Sequence, residues 1–321
     1  MAKQRKPPRR RKAPAAEKIA SKAERSLAKP AKKQSEGASW IDRFTPELIR
    51  EIEEEVAERL ARIPTQLNEF GYDPWGLDIK SIQSAMTFSV LLYRYYFRVE
   101  VFGIDNVPRG KVLLIANHAG QIALDAAMIG VATVLEAEPP RIIRGMGEYW
   151  LPTLPFVNEA MVRTGSVVGT PKNCRDLLAG NEAVIAFPEG VRGMNKLFSE
   201  RYKLQHFGYG FMRLALSTDT PILPIAVVGS EEQAPGLANL ASIARLLGMP
   251  AFPITPTFPL LGPLGLLPLP VKYRIYFGEP IHFRGDSDDE DAAIRKKVLR
   301  VKRVIQKTLN RGVAQRDSIF F

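Results

Sequence analysis

The alternation of short apolar runs with helical stretches after residue 100 is the feature that most limits the folds open to this chain. Buried parallel strands are almost continuously apolar, whereas the helices that connect them have an apolar period near 3.6 residues. The alternating segments are KVLLIAN, LDAAMIGVATVLEA, RIIRGMG, NCRDLLAG, EAVIAFPEG, GFMRLALSTD and PILPIAVVG. This pattern predicts an α/β domain over residues 100–321, with a mixed, largely parallel central sheet flanked by helices.

The N-terminal 38 residues differ sharply in composition from the rest of the chain. Residues 1–37 contain 13 Lys and Arg against three Glu, and so carry +10 of the chain's net charge of +11. They have almost no large apolar side chains to bury, which predicts a disordered basic tail over residues 1–38. Such a tail suits three roles, which are solubility, contact with anionic lipids and contact with nucleic acid.

A helical extension is predicted between this tail and the α/β domain, over residues 39–99. Thr45 and Pro46 suit the start of a helix that Pro64 ends. Its apolar residues recur at every fourth position: Leu48, Ile52, Val56 and Leu60. The apolar segment at residues 81–105, which contains the aromatic stretch at residues 93–97, is interrupted by Gln83, Ser84 and two arginines before it reaches the roughly 20 apolar residues of a membrane span. We expect it either to lie in a membrane interface or to pack as a core helix.

The C-terminal part contains an unusual apolar segment. Residues 250–271 include seven prolines among many leucines and phenylalanines, which excludes a regular helix there. The segment is expected either to fold against the core or to insert in lipid. A strand in KYRIYFGEPI and a basic amphipathic helix over residues 290–309 are predicted to follow.

His118 follows an apolar run and precedes Asp125, with Asn117 beside it as a candidate substrate contact. A neutral imidazole can take a proton from an attacking hydroxyl, and a carboxylate on its other nitrogen would stabilise the imidazolium. Seven positions along one helix separate two residues by about 10.5 Å, too far for a hydrogen bond. The loop at residues 119–121 must therefore fold Asp125 back toward His118. Taken alone, a single histidine is as compatible with a structural role.

A second candidate loop is AFPEGVRG at residues 186–193. An apolar strand ends there at Pro-Glu-Gly, and a guanidinium follows. Glu189 is expected to orient backbone or bind an acceptor hydroxyl, Gly190 to permit close approach of the chain, and Arg192 to pair with a phosphate. Both loops are predicted at the carboxyl ends of parallel strands, where α/β folds bind ligands.

Three segments in this order, ANHAGQIALD, FPEGVRG and PILPIAVVG, resemble the first, third and fourth motifs of the glycerolipid acyltransferases, the lysophosphatidate acyltransferase family. The likeness covers about residues 100–283. Six residues separate His118 from Asp125, where four is the commonest spacing of the family. Pro171 stands where the second motif usually has a phosphate-binding arginine, and Lys172 is the nearest substitute.

This resemblance implies acyl transfer from acyl-CoA or acyl carrier protein to a hydroxyl of a lysophospholipid or glycerol phosphate. It implies His118 as general base and Asp125 as its partner, with Glu189, Gly190 and Arg192 at the acceptor phosphate. Pro224 matches the proline of the fourth motif. Neither a metal nor an organic cofactor is implied, and the expected location is cytoplasmic and peripheral to a membrane, with anionic lipids as partner.

Several alternatives stay open from the sequence. A lipid hydrolase would use a similar pocket, although the chain lacks the G-x-S-x-G nucleophile elbow. A non-catalytic lipid-binding or nucleic-acid-binding protein would rely on the basic tail, but the remainder of the chain is nearly neutral and shows no recognition motif. Cys174, the single cysteine, has no sequence feature of a catalytic thiolate. The three histidines, His118, His206 and His282, are far apart in sequence, which gives a metal site little support.

Overall fold

The computed structural model of this chain describes residues 45–118, 123–240, 244 and 252–320. The predicted basic tail lies outside these residues. The helices in chain order are α1 Pro46–Ala61, α2 Ile79–Leu91, α3 Leu124–Leu135, α4 Val157–Arg163, α5 Pro171–Ala179, α6 Val191–Met194, α7 Gly210–Ser217 and α8 Asp291–Gln315. The strands are β1 Glu100–Phe102, β2 Val112–Ala116, β3 Ile143–Gly147, β4 Val167–Val168, β5 Ala183–Ala186, β6 Ile222–Val228, β7 Ala238–Asn239, β8 Pro253–Ile254 and β9 Arg274–Phe277.

Seven of these strands form one sheet in the order β1-β9-β6-β2-β5-β3-β4. Its strand pairs are parallel except for β6 with β9, which is antiparallel. The prediction of a mixed, largely parallel sheet is therefore confirmed. Since β2, β5 and β6 run side by side in the same direction, the loops that follow them meet at one edge of the sheet.

The sheet is covered on both faces, as its near-continuous apolar strands require. All five residues of β2 are buried. On one face, Leu113 and Ile115 share a hydrophobic cluster with residues of α5, α7 and α8. On the other side, α3 packs closely at Gly130, which lies near Met86 of α2 and Ile143 of β3. The central strands are thus buried between helices on both faces of the sheet.

Pro224 lies inside β6, a position in a sheet that proline rarely takes, because it has no N–H to donate. The segment that follows β9 accommodates this proline, because it departs from regular strand pairing at this point. Gly278 donates its N–H to the carbonyl oxygen of Pro224 at 2.9 Å, and the next backbone pairing is between Ile222 and Ile281. Pro224 therefore lies where the partner strand bulges away, so that no ladder hydrogen bond is lost.

The N-terminal extension forms helices as predicted. The hydroxyl of Thr45 accepts a hydrogen bond from the N–H of Leu48 at 3.2 Å, consistent with a cap for α1, and the helix ends before Pro64. Glu55 of α1 accepts two hydrogen bonds of 2.7 Å from Arg94. The acidic outer face of α1 is thus partly used to bind the segment after α2.

The sequence left two positions open for the aromatic stretch at residues 93–97, a membrane interface or the protein core. In the structure this stretch packs against the core. Tyr93 and Phe97 are buried, and the Phe97 ring packs against Tyr273 at a centroid distance of 4.6 Å. The Tyr93 hydroxyl donates to Glu136 at the end of α3. None of the described helices combines the length and the apolar character of a membrane span.

The C-terminal helix is longer than predicted, since α8 continues to Gln315. One stripe of α8 is buried in the core, at Ile294, Val298, Val301, Ile305 and Leu309. The strand predicted in KYRIYFGEPI is β9. Over its described part, residues 252–271, the proline-rich segment contains β8 and one 3₁₀ turn at Gly262–Leu266 and no α-helix, in agreement with the expectation.

Shortening Ile305 to Ala should destabilise the fold by about 2–5 kcal/mol, because the side chain is almost fully buried between α8 and the sheet. Urea unfolding followed by circular dichroism measures the change in free energy of unfolding. Lys307→Ala, an exposed site of the same helix, is the matched control and should change it by less than about 0.5 kcal/mol. Equal effects of the two substitutions would contradict the packing described for α8.

Candidate active site

His118 and Asp125 meet at the carboxyl end of β2. His118 follows the strand by two residues, and Asp125 lies in the first turn of α3. Their atoms Nδ1 and Oδ2 are 2.9 Å apart, and the Asp125 carboxylate is fully buried. The fold-back of Asp125 predicted from the spacing is therefore confirmed. The loop at residues 119–121, which was expected to produce it, lies outside the described residues.

The His118 ring is held in one orientation. It stacks on Phe187 with a centroid distance of 4.2 Å and an interplanar angle of 27°. With Nδ1 bonded to Asp125, the neutral imidazole carries its proton on Nδ1 and a lone pair on Nε2. Within the described residues no protein group forms a hydrogen bond with Nε2. That nitrogen is therefore the atom of the pair that can exchange a proton with a bound molecule.

Glu189 is buried directly beside His118. Its Oε1 accepts the backbone N–H of His118 at 3.3 Å, and its Oε2 accepts the backbone N–H of Gln205 at 2.6 Å. Lys196 Nζ lies 3.4 Å from the same Oε2. Of the two roles expected for Glu189, the geometry matches the orientation of backbone, since both oxygens bond groups of the chain itself.

A glycine lets the loop after β5 approach His118. A Cβ atom on Gly193 would fall 2.8 Å from the carbonyl oxygen of His118 and 2.8 Å from Cβ of Glu189. No side chain fits there without a shift of the backbone. Gly190 has a φ of +55°, which favours glycine, and its N–H donates to the carbonyl of Phe187 at 3.0 Å. The sequence suggested Gly190 for close approach, but Gly193 is the position that the packing constrains most.

Lys196 and Glu231 form a buried ion pair behind Glu189. Lys196 Nζ lies 2.8 Å from Oε1 of Glu231, and both side chains are almost completely buried. The other oxygen of Glu231 accepts the N–H of Tyr202 at 2.7 Å. This pair was missed in the sequence, where nothing links two charged residues 35 positions apart. Since Glu231 follows β6, the pair connects the loops after β5 and β6.

The other candidate residues take different positions. Asn117 is fully buried, and its side-chain amide bonds both the N–H and the C=O of Val227 in β6, at 2.8 and 3.0 Å. Its side chain holds two strand ends together and is not directed to a ligand. Arg192 is exposed on α6, and no group within the described part of the chain forms a hydrogen bond with its guanidinium. Lys172 is exposed at the start of α5 and pairs with Asp176 of the same helix at 2.6 Å.

The electrostatics of the pocket act on His118 in opposite directions. Burial disfavours the imidazolium, but the nearby carboxylates Asp125 and Glu189 outweigh it and raise the pKa of His118 above its ordinary value, while Lys196 opposes them. Burial also raises the pKa of Glu231, although Lys196 counteracts this. The surroundings therefore make His118 more basic than a free imidazole, which suits a residue that takes up a proton.

A cavity of about 480 Å³ opens on the face of the sheet covered by α5 and α7; its lining is mainly apolar and also includes Arg175, Arg213 and Asp288. Its wall includes Met146 and Ala186 near the carboxyl ends of β3 and β5, with Phe211 and Leu214 from α7. Cys174 also lines it, and burial raises the pKa of this thiol, so that it stays neutral. The described residues contain no group of three or more His, Cys, Asp or Glu side chains placed to hold a metal ion.

The chain is similar in sequence to one protein family and to several known proteins. The sequence profile of the family described as Acyltransferase matches residues 98–228, which include both candidate loops and β6. An uncharacterized protein of Mycobacterium tuberculosis is 41% identical over 262 residues, covering 79% of this chain and 72% of the relative. A probable 1-acyl-sn-glycerol-3-phosphate acyltransferase of Mycoplasma pneumoniae is 26% identical over 155 residues, covering 44% of this chain and 53% of that protein.

Among solved structures, the chain is similar to the 1-acyl-sn-glycerophosphate acyltransferase of Thermotoga maritima. The TM-score is 0.48 at 19% identity, and the match covers 74% of this chain and 81% of that one.

Replacement of Asp125 by Asn should lower the pKa of His118, because it removes the largest charge that favours the imidazolium. A histidine with a raised pKa stabilises the fold below its unfolded pKa of about 6.5, and this contribution is lost as the pH rises through the folded value. The variant should therefore gain less stability on acidification across that window. An NMR titration of the imidazole protons measures the midpoint directly, with His206→Ala to assist the assignment. An unchanged or higher midpoint would contradict the charge arrangement described here.

Proposed function

Because this chain belongs to the acyltransferase family, we propose that it transfers a fatty acyl group from a thioester to a hydroxyl of a lysophospholipid or of glycerol phosphate. The match of residues 98–228 to the acyltransferase profile, together with the acyltransferase relative, confirms the family predicted from the three motifs, the glycerolipid acyltransferases. The observation that carries the proposal is the buried His118–Asp125 pair, 2.9 Å between Nδ1 and Oδ2, with Nε2 left to act on a bound hydroxyl.

His118 is the general base of this mechanism. Nε2 takes the proton of the acceptor hydroxyl as its oxygen attacks the thioester carbonyl carbon, and Asp125 stabilises the resulting imidazolium. Collapse of the tetrahedral intermediate forms the ester and breaks the carbon–sulfur bond. The departing thiolate then takes the proton from Nε2, which restores the neutral base. This acid–base route requires neither a metal nor an organic cofactor.

The oxyanion of the intermediate needs hydrogen-bond donors near the reacting carbon. The N–H of Gly190 is already bonded to Phe187, so it is a poor candidate. The amides near Gly120 remain candidates, and they lie outside the described residues. Glu189 supports this region in a positioning role, because it holds the backbone of His118 in place. We assign Asn117 a similar positioning role, through its bonds to β6.

Arg192 is proposed to bind the phosphate of the acceptor. It lies one residue before Gly193, which contacts the His118 backbone, and its guanidinium is exposed. A guanidinium can bind a phosphate through two parallel hydrogen bonds. Lys172 is the weaker candidate for this role, since its ammonium already pairs with Asp176.

The acyl donor is proposed to be acyl-CoA or acyl carrier protein. The apolar cavity beside β3 and β5 is large enough to take part of a fatty acyl chain, and it opens near the carboxyl ends of the strands that lead to the site. Both substrates are amphiphilic, which suits an enzyme that works at the surface of a membrane. We therefore propose a cytoplasmic protein that is peripheral to the membrane and associates with its anionic lipids.

Replacement of His118 by Ala should slow acyl transfer by about 10²–10⁴-fold, the usual effect of losing a positioned general base. The measurement is thiol release from acyl-CoA mixed with lysophosphatidate vesicles, together with detection of the new ester. His206→Ala, which changes an exposed histidine, is the matched control and should keep native activity. A His118→Ala enzyme as fast as the native one would refute the mechanism, and thiol release without acceptor would indicate a hydrolase.

Replacement of Arg192 by Ala should raise the KM for phosphate-bearing acceptors by about 10–100-fold, the equivalent of one charge-assisted hydrogen-bonded contact. The variant should fold like the native protein, since substitutions at exposed positions such as this one change stability by less than about 0.5 kcal/mol. Turnover of an acceptor alcohol that lacks phosphate should be unaffected. Arg303→Ala, at an exposed arginine of α8, is the matched control and should keep the native KM. Equal losses with both kinds of acceptor would contradict a phosphate contact.

A further inference from the structure

The irregular segment at residues 255–270, here called the proline–leucine loop, exposes five leucines. Leu260, Leu261, Leu264, Leu266 and Leu267 are between 39% and 88% exposed. No charged residue occurs between Arg245 and Lys272 in the sequence. Soluble proteins rarely present contiguous apolar side chains of this kind unless the surface has a partner.

The backbone of the loop has few hydrogen-bond donors left for water. Five of its residues are prolines, which have no N–H. Several others donate within the loop: Leu261 N–H to Thr257, Gly262 N–H to Pro259 and Leu267 N–H to Leu264, at 2.8–3.2 Å. The N–H groups of Thr257 and Phe258 bond the hydroxyl of Thr255. A chain that enters an apolar phase must satisfy its polar groups internally, and these N–H groups of the loop are already bonded within it.

The loop is fastened to the core at its C-terminal end. The hydroxyl of Tyr96 donates to the carbonyl of Pro268 at 2.5 Å, and Arg98 donates to the carbonyl of Pro270 at 2.6 Å. The N–H of Leu269 donates to Gln233 at 2.7 Å. These contacts hold the leucines in a defined place, so that little further ordering is needed when they are buried.

The fold places this loop at the same edge of the sheet as the candidate active site. The connection that contains it leaves β6 at Gly229 and returns in β9, whose first residue, Arg274, pairs with Val228. The carboxyl end of β6 lies beside that of β2, which leads to His118. Glu231, early in this connection, is bound through Lys196 to Glu189.

We propose that the proline–leucine loop is the element with which this protein inserts into the interface of a lipid leaflet, so that the bilayer surface faces the edge of the sheet that holds His118. This proposal rests on the proposed function. An acceptor that resides in the membrane would then have a short path to the site. The occupant is a bilayer and not a protein partner, because the loop offers leucines without charged or free polar groups to specify a protein surface.

The test is the binding of the full chain to vesicles of neutral phosphatidylcholine, measured by co-sedimentation at about 0.05 M and about 0.5 M salt. Apolar insertion persists at high salt, whereas attraction of the basic residues 1–37 to a charged surface is screened. We expect the native protein to bind these neutral vesicles equally at both salt concentrations. Binding that requires anionic vesicles and disappears at high salt would overturn the proposal.

The variant for this test is Leu260→Asp with Leu264→Asp, and its vesicle affinity should fall by at least about tenfold, the loss expected for removing one buried leucine. Phe88→Asp, at an exposed apolar site on α2, is the matched control and should bind like the native protein. An unchanged affinity of the loop variant, or an equal loss in the control, would refute the assignment of the loop. So would a native dimer that the loop variant converts to a monomer in sedimentation velocity.

Two further readouts separate this proposal from the catalytic one. The loop variant should keep native turnover of a short-chain, water-soluble acceptor and lose turnover only with acceptor in vesicles. Equal losses with both acceptors would contradict a docking role. If no acceptor is acylated by any form of the protein, the proposed reaction fails, and the vesicle measurement still decides whether the loop binds lipid.

Discussion

The buried carboxylate of Glu189 is the group on which the arrangement of the site depends. It bonds the backbone of His118 after β2 and the backbone of Gln205 before α7, and it lies within 3.4 Å of Lys196. A carboxylate removed from water is costly unless its oxygens are bonded, and here both are. The Glu189 carboxylate thus connects the loop after β2 with the segment before α7, at the edge of the sheet where the parallel strands end.

Through Lys196 this organisation extends to the connection after β6. Lys196 lies between Glu189 and Glu231, and its charge also opposes the effect of the carboxylates on the pKa of His118. The pKa of His118 therefore depends in part on charged residues that do not touch its ring. In addition, the connection held by Glu231 leads to the proline–leucine loop, so that the proposed lipid contact and the site share one framework.

Much of this structure was predictable because it depends on local pattern. The apolar runs of β2, β5 and β6 gave the sheet, and the seven-residue separation of His118 from Asp125 required a fold-back that the structure contains. By contrast, the aromatic stretch at residues 93–97 was compatible with both lipid and core. Its amphipathic composition does not distinguish them, and only the burial of Tyr93 and Phe97 does.

The sequence by itself determined the α/β class, which follows from the periodicity of its apolar residues. It also showed that His118 and Asp125 can pair only through a fold-back of the chain, and its motifs carry the resemblance to the acyltransferase family. Tertiary structure alone decided that Asn117 binds Val227, that Glu189 bonds backbone and that Lys196 pairs with Glu231. The physical reason is that these partners are 16 to 110 residues apart. The strand register brings them together, and no local propensity encodes that register.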